Sequence, residues 1–184
     1  MQEYGRILLP VPNKLAVIIL NWRIINMDFK DQPFIPMLFG GDINTYSVAR
    51  AFYEEYQVKT YVFGKFPSGP SYNSNIIEYH ADLKIDTDDV FMKTVRDFAA
   101  AHADKTVLTI GCGDSYVALC SRHKDEMPEN VVAPYIDFEL MDRLQQKELF
   151  YRLCREHDID FPDTLVFRYG MDLDFELPFS FPVI

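Results

Sequence analysis

The chain has 184 residues, 48% of them hydrophobic and 15% aromatic, which is enough apolar side chain for a packed core and excludes wholesale disorder. A formal net charge of −10 excludes a surface built to bind a phosphate backbone, so no nucleic-acid partner is expected, although a local basic pocket remains compatible with it. Three cysteines (Cys112, Cys120, Cys154) without a CxxC pair make neither a disulfide framework nor a zinc site, and fit a reducing cytoplasm.

Residues 1–33 differ from the rest. They hold the apolar run Leu15–Leu20, with Ile24 and Ile25, and then the polar stretch Asp28–Pro33. The apolar run is too short to span a bilayer, and no small-residue cleavage site follows it. A cytoplasmic protein without a membrane partner is expected. Met27 stands just ahead of the polar stretch. Either the residues before it are an upstream extension, or 15–20 adds an edge strand.

From residue 34 onward strand and helix alternate. Phe34–Phe39 reads as the first strand. Asp42 caps a helix over 43–56, with Val48, Ala51, Phe52 and Tyr56 on one face. Val58–Phe63 is the second strand, and Gly64–Asn75 a loop rich in Gly, Pro, Ser and Asn. Ile76–His80 is a short strand. A helix starts at Asp86 or Thr87 and runs to about His102, with Asp88 and Asp89 complementing its dipole. Strand 106–110, a helix from Asp114 to about Lys124, and strand 131–136 follow. A helix over about 144–157 presents Leu149, Phe150, Leu153 and Cys154, 164–167 is extended, and Phe181–Ile184 starts another strand. The fold class is α/β: a Rossmann-like, mostly parallel sheet flanked by helices, with a domain boundary near Asp137.

One local pattern occurs twice. Phe34–Phe39 runs into Gly40-Gly41-Asp42, and Thr106–Ile110 runs into Gly111-Cys112-Gly113-Asp114. Each time a buried strand meets a glycine turn, and an Asp stands where a helix N-cap is expected. Open α/β sheets build ligand sites this way, with backbone N–H groups and a helix dipole gathered at strand ends. The candidate substrate-binding residues are therefore Gly40, Gly41, Asp42 and Asn44 on the first turn, and Gly113, Asp114, Ser115 and Tyr116 on the second. As plain strand-to-helix turns, both would need glycine for backbone reasons alone.

Other chemistry is sparse. Val107–Gly113 resembles the S-adenosylmethionine-binding turn of methyltransferases, with Asp137 as the ribose-binding acid. Thr109 and Ser115 depart from that pattern, and the turn comes after at least two strand–helix units instead of first. The four histidines are scattered and pair with no Cys or His at metal-ligand spacing, so no metal site is expected. Neither a GxSxG elbow nor a P-loop is present. No catalytic residue is expected within the chain. A non-catalytic Rossmann-like ligand-binding module is a third reading.

The order of segments carries more. Phe34–Phe52, Gly111–Tyr116, Lys147-Glu-Leu-Phe-Tyr151 and Asp160-Phe-Pro-Asp-Thr164 together resemble the N-terminal half of ATP-grasp carboxylate–amine ligases, in particular the D-aspartate-ligase-like group. The resemblance runs over residues 34–184. It implies a pre-ATP-grasp domain at 34–136 and the truncated opening of an ATP-grasp domain at 137–184. Lys147 matches a lysine that reaches the nucleotide phosphates, and Pro162 and Thr164 match the segment after it. The resemblance also implies ATP and Mg2+ as cofactors, with the magnesium ligands beyond residue 184, small-molecule carboxylate and amine substrates, and amide formation through an acyl phosphate. An isolated chain of this kind would be inactive, and apolar residues such as Leu149, Phe150, Phe179 and Phe181 would be exposed and favour a homo-oligomer.

Overall fold

The computed structural model describes residues 27–171. The expected edge strand at 15–20 and the strand start at 181–184 lie outside them, as do Phe179 and Phe181. Five parallel strands form one sheet among the described residues: β1 (Phe34–Phe39), β2 (Thr60–Gly64), β3 (Ile77–Ala81), β4 (Thr106–Gly111) and β5 (Val131–Val132). Their spatial order is β3-β2-β1-β4-β5. The α/β sheet flanked by helices is the architecture expected from the sequence.

The helices are α1 (Ile43–Tyr56), α2 (Gly69–Tyr72), α3 (Asp88–Ala101), α4 (Asp114–His123), α5 (Phe138–Gln145) and α6 (Lys147–Glu156). β1 is central and buried on both faces, which is why it reads as an unbroken apolar run instead of an alternating one. Met37 and Phe39 enter one core with Phe63, Phe91, Val95, Phe98 and Leu119, under α3 and α4. Leu38 enters the other with Ala49, Val62, Ile76 and Ile77, under α1. The rings of Phe39 and Phe91 are 4.6 Å apart between centroids.

Several local expectations are corrected. The loop 64–75 contains the one-turn helix α2, with Pro70 in its first turn, where a missing N–H does no harm. The strand expected over 131–136 pairs only at Val131 and Val132. The helix expected over about 144–157 is α6, starting at Lys147, and a further helix, α5, precedes it, the two separated at Gln146, whose backbone is extended. The face read for α1 holds in part: Val48 and Phe52 pack half-buried against the core, whereas Ala51 and Tyr56 are exposed. Its fully buried residues are Thr45 and Ala49. These are small side chains that let the helix lie close on the sheet, while Ile43 and Tyr56 are exposed.

Candidate functional site

Strand order decides where a ligand can sit. From β1 the chain passes through α1 to β2 on one side, and from β4 through α4 to β5 on the other. The β1–β4 boundary is therefore the switch point, where connections diverge and leave a crevice beyond the strand ends. A pocket of about 480 Å³ lies there, within the range of small-molecule sites. The β1 turn supplies Gly40, Gly41 and Asp42, and the β4 turn supplies Cys112, Gly113, Ser115 and Tyr116. The segment after β2 adds Lys65, Phe66, Ser68 and Gly69, and β3 adds Tyr79.

The first turn is rigid. Asp42 is the N-cap of α1: its Oδ1 accepts from the Asn44 and Thr45 backbone N–H groups, both at 3.1 Å, and from Thr45 Oγ1. The Thr45 N–H, chief among these donors, holds the Asp42 carboxyl below its ordinary range. Gly40 has φ +147°, and a Cβ there would stand 2.3 Å from Thr45 Oγ1, so glycine is required. The Ser71 hydroxyl donates to Asp42 O at 3.2 Å and ties α2 to the turn. Tyr79 Oη donates to Phe66 O at 2.8 Å, closing the pocket's β3 side.

The second turn is built differently. The N-cap of α4 is Gly113, and Asp114 is the first helical residue, with no side chain capping the end. This corrects the expectation that Asp114 would cap as Asp42 does. Tyr135, from the segment after β5, supports the turn from below. Its Oη accepts from Gly111 N at 2.7 Å. Burial pushes the Tyr135 hydroxyl far up from its ordinary value. Tyr135→Phe should leave the Gly111 N–H without a partner and cost about 1–3 kcal/mol. Urea unfolding measures the loss, and faster exchange of the Gly111 amide locates it. An unchanged midpoint would mean that water replaces the hydroxyl.

The structure thus gathers Gly40, Gly41, Asp42, Gly113, Ser115 and Tyr116 around one pocket. Asn44 does not line it: its exposed side chain donates back to Asp42 Oδ2 at 3.0 Å. Asp114 is exposed and does not line it either. Lys147 is exposed at the start of α6 and is not among the pocket's residues. Asp137 is exposed and pairs with Lys124 Nζ at 3.0 Å. Lys65, Phe66 and Tyr79 were missed in the sequence because no local motif marks them. The signal available was their position at the ends of β2 and on β3.

The chain is 38% identical over 161 residues to the D-aspartate ligase of Enterococcus faecium (strain Aus0004). The match takes in 84% of this chain, which spans 38% of the length of that curated relative. No family model matches the chain, and no solved structure matches it. The resemblance read from the order of its segments is borne out: this chain is a relative of D-aspartate ligase.

Proposed function

We propose that the chain is the N-terminal part of an ATP-dependent carboxylate–amine ligase of the ATP-grasp superfamily. The similarity to D-aspartate ligase over most of the chain carries this reading. The crevice between β1 and β4 supports it, because the start of α4, which no side chain caps, borders it at Gly113 and Ser115 and suits a small anionic substrate.

In the reaction of the whole protein, a carboxylate oxygen attacks the γ-phosphorus of ATP, releasing ADP and leaving an acyl phosphate. An amine then attacks the acyl carbon, forming the amide and releasing phosphate. Gly40–Asp42 on one side and Gly113, Ser115 and Tyr116 on the other hold the carboxylate substrate. Lys147 contacts the nucleotide phosphates from the opening of a second domain at residue 137. In this reading the magnesium ligands belong to sequence beyond residue 184, and the isolated chain is inactive. No helix of the described residues is long and apolar enough to cross a membrane. The proposed setting is the cytoplasm, with self-association through exposed apolar residues such as Phe150.

Calorimetric titration with Mg·ATP tests the reading, on this chain and on a version extended through its natural reading frame. Binding by the extended protein alone is the expected result; binding by neither overturns the assignment. In the extended protein, replacing Ser115 and Tyr116 with alanine should raise the KM of the carboxylate substrate. An unchanged KM would remove these two residues from the site.

A further inference from the structure

We propose that Lys65 is the anion-binding residue of the crevice and takes the carboxylate of the small-molecule substrate opposite the β4 turn. This rests on the ligase reading and assigns a side chain to its substrate site.

The pocket's charges lead there. Asp42 and Lys65 are the ionisable acid and base that line it. Asp42 is spent on the helix cap, where four donors from Asn44 and Thr45 surround its two oxygens. Lys65 is not spent. Its Nζ donates to Asp86 Oδ2 at 2.8 Å, its one polar partner among the described residues. An ammonium carries three N–H donors, so two stay open. Both side chains of the pair keep about a third of their surface in solvent, and a pair so exposed adds little to stability. Its use is to fix the position of the ammonium at the pocket wall.

Gly113 gives an independent indication. Its φ is −169°, an extended conformation open to any residue. A Cβ there would meet nothing within 4 Å. The fold therefore does not need glycine at this position, although it lines the pocket. A ligand approaching the backbone closely does need it, as the N–H groups at the uncapped start of α4 require.

The test is a titration of the 184-residue chain with D-aspartate, followed by the amide NMR shifts of Gly41, Gly113 and Ser115. Saturable shifts are expected in the wild type. Lys65→Met should weaken binding at least about tenfold, and Lys65→Arg should restore most of it. Gly113→Ala should keep the wild-type thermal midpoint yet weaken binding, a split that a merely structural glycine would not show. Wild-type affinity in Lys65→Met would overturn the Lys65 assignment and leave the ligase reading intact. No saturable shift in the wild type would overturn the assignment as well. The ligase reading would then be decided by the Mg·ATP titration of the extended protein.

Discussion

Gly64→Ala is expected to destabilise the fold by about 3–5 kcal/mol, a large share of what holds a domain of this size together. The added Cβ would stand 2.0 Å from Tyr79 Oη and 2.2 Å from the Gly40 carbonyl oxygen. Real Cβ atoms do not approach this closely, and one of the two obstacles is backbone. Tyr79 can swing aside only by breaking its hydrogen bond to Phe66 O. Gly40 cannot retreat without breaking its own N–H bond to Phe63 O at 3.0 Å. The clash thus pushes β2 away from β1 where the two carry the pocket. Urea denaturation reads the effect, and Tyr79→Phe combined with Gly64→Ala separates its two parts. Removing the hydroxyl should recover only part of the loss, since the carbonyl remains. A midpoint equal to wild type for Gly64→Ala would show that the β1–β2 junction is plastic, and would weaken the view of a preformed pocket.

Alkali should unfold the protein between about pH 9 and pH 12, with Cys120 as a principal cause. Its thiol is fully buried on the inner face of α4. That burial pushes its pKa from 9.0 to about 12. Burial likewise raises Cys112 from 9.0 to about 11 and Tyr116 from 10.0 to about 12. A group whose folded pKa lies above its unfolded one keeps its proton in the fold. The stability it contributes is complete below the unfolded value and is lost as pH rises toward the folded one. For Cys120 alone the loss is on the order of 4 kcal/mol across that window. Unfolding free energy measured against pH under reducing conditions should fall steeply above pH 9. Cys120→Ala should flatten the fall even if the variant starts from a lower plateau. Parallel slopes in both proteins would acquit the thiol.

The sequence made the sheet legible because each strand of its core is a short apolar run bounded by glycine or a cap. Helix α1 was placed at its observed limits because Asp42 is a strong N-cap and its side chain bonds as such a residue should. Which face α1 buries was legible only in part, through Val48 and Phe52. Periodicity marks large apolar residues, whereas contact with the sheet selected Thr45 and Ala49 for being small. Helix α5 escaped notice because Met141 is its one buried residue, leaving little apolar period to see. Half of the site followed from the two glycine turns. The other half, Lys65, Phe66 and Tyr79, depends on β2 and β3 lying beside β1, a fact of sheet order that no local run of residues encodes.

That same order sets a schedule for folding. β1 pairs with β2 across a short helical connection, but its other edge waits for β4, whose Thr106 aligns with Phe34. On a ribosome, roughly 70 residues must emerge before the second edge of the central strand is covered. Until then β1 offers an apolar strand with unpaired N–H and C=O groups, the kind of template on which other chains aggregate. Slow stretches of translation between β1 and β4 would prolong that exposure, and coexpressed chaperones that shield strand edges should raise the yield of folded protein.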